Sequence, residues 1–378
     1  MKILVLHGTS DLYGSGKILV TVVETLVENN HSVIVLLSQE GPLSIALRLV
    51  GAEVKIIRLG IIRKKYFSPK GIINRIVVLK NAYRAIKKLV KDEKIELIYS
   101  NTTTVLIGAI VAKFNSVKHV WHIHEITVKP KFMYIFNGWF IHFFAQNIIA
   151  VSNAVKQHWV KYINENKITV IYNGIDTTDF EKNQGNLRNE LLIESHIVII
   201  GMIGRVNVFK GQEYFLEIAA ILRSKFNNLK FILVGDAYTG YEYLYDQINT
   251  IIKVKQLESD VIDLKYRTDI PNVINSFDLL LLPSQLPDSF PTVILEAMAA
   301  GIPVVATEQG GAVEMLQDGI TGYLIPISNA QIAAEKISKL ISDSTLRKCM
   351  GERGKIRLKT QFNIQDFKEK LINFIEMI

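Results

Sequence analysis

Cysteine is nearly absent from this sequence: Cys349 stands alone among 378 residues. One thiol excludes an internal disulfide framework and a cysteine-built zinc site, and it fits a reducing compartment. Long apolar runs are missing too. No stretch of about 18 apolar residues occurs, so no transmembrane helix is predicted. The nearest candidate, 132–151, is interrupted by Asn137, His142, Gln146 and Asn147. The opening Met1-Lys2-Ile3-Leu4-Val5-Leu6 is too short and too soon interrupted for a signal peptide. Low-complexity tracts and Pro/Ser linkers are lacking, which excludes extended disorder. No internal repeat stands out, which excludes a solenoid. These absences predict a cytoplasmic protein, at most attached to a membrane surface.

What is present is a large supply of core. Hydrophobic residues make up 49% and charged residues 21% of a length that suits two domains. The charge is uneven. Residues 1–180 hold 23 Lys+Arg against 12 Asp+Glu, a net of +11; the remainder holds 21 against 24, a net of −3. Residues 48–94 alone carry 14 basic and 3 acidic side chains, so the whole excess of the first half sits there. A field of that sign attracts phosphates, anionic headgroups or nucleic acid. No nucleic-acid reader motif accompanies it, so nucleic acid is not predicted as a partner.

Short β-branched runs alternate with longer amphipathic segments, the pattern of βαβ units and parallel sheets. In the first half the strand-like runs are 3–6, 33–37, 54–57, 97–99, 119–123, 148–151 and 169–171, with helical stretches such as 18–28 and 76–91 between them. The second half restarts at 197–202 and continues through 231–234, 261–264, 279–282, 303–306 and 323–325. This predicts an α/β protein of two Rossmann-like, doubly wound parallel-sheet domains facing a cleft: 1–178, then 179–361, with a terminal helix over 362–378. Ligands of such sheets bind beyond the carboxyl ends of the strands.

Gly14-Ser15-Gly16-Lys17 invites comparison with a phosphate-binding P-loop, but the required first glycine is Asp11 and the residue after the lysine is Ile18. The dinucleotide fingerprint fails as well, because its third glycine position is Leu19, which argues against a Rossmann oxidoreductase. A tight turn after the first strand remains, either cradling a ligand or empty. In the second half, Gly204-Arg205 closes a strand and Lys210-Gly211 precedes an amphipathic helix. Two cations there can meet a diphosphate from two sides, or be solvated surface charges. The densest segment, from Pro283 through Asp288, Phe290, Pro291, Thr292, Val293 and Glu296 to Gly301, follows an all-leucine strand. Pro291 suits a first helical position and Gly301 a C-terminal cap. The amides of Thr292 and Val293 are then free donors at a helix N-terminus, an anion site.

The run Asp288-x7-Glu296 followed by Ala-Met-Ala-Ala-Gly-Ile-Pro-Val-Val closely resembles the E-x7-E region of retaining glycosyltransferase family 4, the group 1 enzymes of the GT-B fold. Further matches follow in order: 149–153, Asn173-Gly-Ile-Asp176, Gly204-Arg205 with Lys210-Gly211, Leu233-Val-Gly-Asp236, and Gly310-Gly311-Ala-Val-Glu314 before Asp318-Gly-Ile-Thr-Gly322. The resemblance spans nearly the whole chain and is loosest over 40–118. It implies a metal-independent transfer of a sugar, with retention, from a UDP- or GDP-sugar to a glycan or lipid-linked acceptor in capsule or lipopolysaccharide synthesis. No cofactor and no metal are implied, and no Asp-x-Asp motif occurs. Arg205 and Lys210 are implied to neutralise the diphosphate, and Thr292 and Val293 to bind phosphate through backbone amides. Glu296 is implied to hold the ribose, Asp288 to contact the transferred sugar, and His124 to match the family's cleft histidine near the reacting sugar. Gly14, Ser15, Gly16, Gly204, Phe290 and Pro291 complete the implied donor-binding set, whereas His122 reads as structural. Two positions depart from the family: Asp288 is one methylene shorter than the usual Glu, and the glycine turn is Gly-Ser-Gly. These departures are the support for one alternative, a catalytically silent nucleotide-sugar-binding subunit.

The first domain is implied to receive the acceptor. There Arg63-Lys64-Lys65-Tyr66-Phe67, Lys70 and Arg75 join charge to aromatic anchors, and Phe132, Tyr134, Phe136, Trp139, Phe140, Phe143 and Phe144 add apolar surface. Two readings stand: an anionic membrane surface as partner, or a solvated basic face beside a buried aromatic helix.

Overall fold

A computed structural model describes residues 1–61, 68–128, 130–238 and 240–378. The basic-aromatic run Arg63 to Phe67 lies outside the described residues. The chain divides into two compact units, Met1–Asn173 with Gln365–Ile378, and Gly174–Ile364.

The first unit is built on a parallel sheet with strand order β3-β2-β1-β4-β5-β6-β7. Its strands are β1 (Lys2–His7), β2 (Ser32–Leu37), β3 (Glu53–Ile56), β4 (Leu97–Asn101), β5 (Lys118–Ile123), β6 (Asn147–Ala150) and β7 (Ile168–Val170). The second unit carries a parallel sheet ordered β10-β9-β8-β11-β12-β13. These strands are β8 (Val198–Ile203), β9 (Leu229–Val234), β10 (Val261–Asp263), β11 (Leu279–Leu282), β12 (Val304–Thr307) and β13 (Gly322–Ile325). Every strand-like run of the sequence falls on one of these strands. The reason is burial on both faces: Ile3 to Leu6 and Leu279 to Leu282 are all buried, and helices cover both sides of a parallel sheet. In the second unit Phe215 meets Phe231 edge to face at 6.1 Å within a core that includes Leu216, Leu222 and Ile337. Truncating one such leucine to alanine costs about 2–5 kcal/mol.

In each sheet the strand order reverses once, between β1 and β4 and between β8 and β11. At such a point two neighbouring connections run to opposite faces and leave a crevice beyond the strand ends. His7 and Asn101 face each other at the first switch point, where β1 pairs with β4. Arg205 and Ser284 follow the strands that meet at the second.

Two helix starts differ from the pattern reading. The helix Pro69–Asp92 begins before residue 76 because Ser68 caps it, its Oγ accepting from Gly71 N at 3.1 Å. Pro291 is the N-cap of the helix Thr292–Ala300 rather than its first residue, with ψ of 110°. The helix Ile364–Glu376 packs Phe367, Leu371 and Ile375 inward, and Lys368 pairs with Glu24 (3.1 Å) and Glu28 (2.9 Å) of the first unit.

Candidate active site

In the second unit, the turn after β8 is held by its neighbours. Gly204 N donates to Val234 O at 2.9 Å and Val206 N to Asp236 O at 2.8 Å, so Arg205 leaves the sheet in a fixed direction. Its guanidinium lies over the Tyr238 ring, 3.7 Å from the centroid, a stack that holds the cation flat. Lys210 then precedes Gly211, the N-cap of the helix Gln212–Arg223. Gly211 has φ of 82°, and a Cβ there would meet the Pro283 carbonyl oxygen at 2.0 Å. Only glycine fits, and this close approach brings the Lys210 turn against the segment after β11. Gln285 N donates to Phe209 O at 2.7 Å across the same junction.

That junction joins Lys210 to Asp288. The ammonium lies 2.7 Å from Asp288 Oδ2, which also accepts from Ser284 Oγ at 2.9 Å. Both charged side chains are about a quarter exposed, so the pair is accessible to a ligand. Gly311 N donates to the Asp288 carbonyl at 2.8 Å and fixes the loop from the other side. The helix Thr292–Ala300 starts just beyond. Its first amides lack partners within the helix, and its dipole presents a partial positive charge. Phe290 and Val293 are buried, Phe290 against Phe362 at 5.5 Å, so they shape the loop rather than line open surface. Glu296 is also buried, one turn into the helix.

In the first unit, the helix Gly14–Glu28 begins at the glycine turn, where Gly16 and Lys17 amides both donate to the Tyr13 carbonyl (2.7 and 2.9 Å). Gly16 has a packing reason of its own, since a Cβ would meet Asp11 O at 2.4 Å. His124 follows β5, half-buried, with Nε2 2.8 Å from Asn101 Oδ1. Burial lowers its pKa well below the ordinary imidazole value, and His122 and His7 push the same way. His122 is wholly buried and bonded to Tyr99 OH at 2.6 Å, a structural role. Burial raises the neighbouring Glu125 carboxyl to about 7, although it accepts from Thr103 N at 3.0 Å and His124 N at 3.3 Å.

The structure thus brings together Lys210, Ser284 and Asp288, and sets Gly204, Arg205 and Pro291 on the loops at the strand ends of the same unit, with Thr292 and Val293 opening the helix that follows. Gly14, Ser15, Gly16 and His124 belong to the first unit's switch point. Tyr238, Ser284, Asn101 and Glu125 were not singled out from sequence. Their shared signal is polar or aromatic character at the carboxyl end of a hydrophobic strand.

Two switch-point crevices, one with a paired cation and a helix N-terminus, define a nucleotide-type binding protein of two Rossmann-like units. Comparison with known families specifies it. Residues 183–357 match the model of glycosyl transferases group 1, and residues 13–179 match that of Glycosyltransferase Family 4. The chain belongs to the group 1 glycosyltransferases of the GT-B fold. It is 30% identical over 237 residues to the capsular polysaccharide biosynthesis glycosyltransferase CapM of Staphylococcus aureus, covering 61% of each chain. It is 27% identical over 312 residues to the UDP-Gal:alpha-D-GlcNAc-diphosphoundecaprenol alpha-1,3-galactosyltransferase of Escherichia coli, covering 78% of this chain and 79% of that one. The crystal structure of Anabaena HepE in complex with UDP and glucose superposes with a TM-score of 0.85 at 25% identity, with both chains fully covered.

Proposed function

We propose that this chain transfers a sugar, with retention of anomeric configuration, from a nucleoside-diphosphate sugar to a glycan or lipid-linked acceptor in cell-surface polysaccharide synthesis. The observation that carries the reading is the Lys210–Asp288–Ser284 cluster beside the start of the helix Thr292–Ala300. In the reaction the bond between the anomeric carbon and the diphosphate oxygen breaks. The bonding electron pair leaves with the nucleoside diphosphate, which builds up negative charge, and the acceptor hydroxyl passes its proton to that departing oxygen as its own oxygen bonds the carbon. Arg205, Lys210 and the amides of Thr292 and Val293 stabilise that charge as fixed dipoles and cations. On this reading no divalent ion is needed, and turnover persists in EDTA. Glu296 holds the ribose, Asp288 and His124 contact the transferred sugar, and the glycine turn Gly14–Gly16 lies near the phosphates. Residues 179–361 take the donor, residues 1–178 the acceptor, and the helical segment 362–378 completes the first domain. The complex of HepE with UDP and glucose supports a UDP-sugar as the first donor to test.

The deciding experiment is a thermal-shift screen of UDP- and GDP-sugars followed by an assay of nucleoside diphosphate release with acceptor. A donor at about a hundred times its Kd stabilises the fold by about 2.7 kcal/mol. Binding without release under any acceptor would replace the enzyme with a silent nucleotide-sugar-binding subunit.

The acceptor side includes an anionic membrane surface in this proposal. Among the described residues no helix is long and apolar enough to cross a membrane. Yet on the helix Lys131–Phe144 one stripe is solvent-facing: Phe132 is 52% exposed, Phe136 48%, Trp139 65% and Phe143 63%. That arrangement speaks against a buried aromatic core helix. Ile72, Ile73, Ile76 and Val77 are exposed on the helix Pro69–Asp92, which continues into the exposed Lys80, Arg84, Lys87, Lys88 and Lys91. Lys113 Nζ sits 3.5 Å over the Phe143 ring. Exposed aromatic side chains, one of them under a lysine, and a basic row on a second helix of the same unit suit an anionic headgroup layer.

A further inference from the structure

The carboxamide of Asn101 has three partners. Oδ1 lies 2.8 Å from His124 Nε2, while Nδ2 lies 2.9 Å from His7 Nδ1 and 3.5 Å from the Ser15 carbonyl oxygen. A carbonyl oxygen only accepts, so the edge of the amide that faces Ser15 is its NH2. The opposite edge is therefore the oxygen, and His124 Nε2 must carry a hydrogen to meet it. His7 Nδ1 must accept, which leaves His7 Nε2–H to donate to Thr9 Oγ1 at 3.1 Å. One amide orientation thus sets two ring tautomers. Both rings stay neutral: burial brings His7 down to about 4 despite Asp11 nearby, and holds His124 well below its ordinary value. The other ionisable groups around His124 do not compete for Asn101, since His122 bonds Tyr99 and the Glu125 carboxylate takes backbone amides. His124 Nδ1 has no hydrogen-bond partner among the described residues.

We infer that Asn101 is a positioning residue for His124: it selects the Nε2–H tautomer and leaves Nδ1 as a lone pair that accepts from a hydroxyl group. Such an atom recognises a sugar hydroxyl and repels a phosphate oxygen, which assigns His124 to the sugar rather than the diphosphate. Because the same amide holds the Ser15 carbonyl, it also ties the glycine turn to His124. The inference rests on the proposed sugar contact of His124, but the tautomer itself can be measured without substrate.

The test is long-range 1H–15N correlation on the full chain labelled with 15N-histidine, with His124 assigned by its loss in His124→Gln. Hydrogen on Nε2 alone is expected for the unaltered protein. Asn101→Leu, which removes both polar edges, is expected to give mixed tautomers and turnover lowered about tenfold, the equivalent of one lost hydrogen bond. Where that variant fails to fold, Asn101→Asp serves: its carboxylate faces His7 Nδ1 and the Ser15 carbonyl, and should drive protonation of His124 Nδ1 with the same loss. Hydrogen on Nδ1 in the unaltered protein, or an unchanged His124 spectrum in the folded variant, overturns the inference. Full turnover in His124→Gln, with the tautomer as expected, overturns the sugar contact and with it the role given to Asn101.

Discussion

Lys210 and Asp288, 78 positions apart in sequence, meet at 2.7 Å after two adjacent strands of one sheet. A salt bridge about a quarter exposed contributes about 1 kcal/mol or less to stability. On the proposed reading its value is in the site, where Asp288 would hold the ammonium until a diphosphate competes for it.

Removing either cation should therefore affect chemistry far more than folding. Lys210→Ala and Arg205→Ala are each expected to lower turnover by about 10²–10³, as does loss of a preorganised charge-stabilising donor. Melting temperature should move by only a few degrees. Steady-state release of nucleoside diphosphate measures the first and differential scanning fluorimetry the second. Full activity in either variant removes the phosphate site as drawn.

Asp288→Asn keeps the shape of the side chain and breaks the ion pair with Lys210. Turnover is expected to fall about a hundredfold, while nucleoside diphosphate alone binds as tightly or more tightly, because Lys210 is released to it. Isothermal titration separates the two effects. Weaker nucleotide binding would mean that Asp288 acts by holding Lys210 in place for the phosphate.

Gly211→Ala introduces a Cβ 2.0 Å from the Pro283 carbonyl at a φ of 82°. The left-handed conformation alone costs about 1 kcal/mol or more, and the clash forces the backbone to shift. Lower denaturation midpoints and a loss of activity are expected together, since Lys210 is the adjacent residue.

Glu125 gives the protein a pH dependence of stability. Burial raises its carboxyl from 4.5 to about 7, so the native state keeps the proton through a window in which the unfolded chain has lost it. The associated stability is present below about 4.5 and is lost as pH rises through about 7. Its size is at most about 3 kcal/mol. Glu125→Gln removes the titration. Melting temperatures measured from about pH 5 to 8 should therefore move in favour of the variant as pH rises.

Trp139→Asp combined with Phe136→Asp should abolish co-sedimentation with anionic liposomes while leaving the melting temperature within about 2 °C, because both side chains are exposed. No binding of the unaltered protein at low salt would remove the membrane from the list of partners.

The sheets were legible in the sequence because their strands are buried on both faces and read as apolar runs. The loops bearing Lys210 and Asp288 were legible because glycines and prolines punctuate the strand ends. The pairing between those loops was not, since it depends on β8 and β11 lying side by side, a matter of strand order rather than local pattern. Asn101 went unread for a related reason. Its meaning comes from three partners, residues 7, 15 and 124, scattered over more than a hundred positions. The start of the helix Pro69–Asp92 was missed because a serine cap carries no hydrophobic period.

The first unit is discontinuous, and that sets an order of events during synthesis. Residues 174–364 can complete their sheet from one uninterrupted stretch of chain. Residues 1–173 cannot finish until residues 365–378 have left the ribosome and seated Phe367, Leu371 and Ile375. The part made first is thus the part completed last, and a message truncated after residue 364 would yield a finished second unit joined to an incomplete first one.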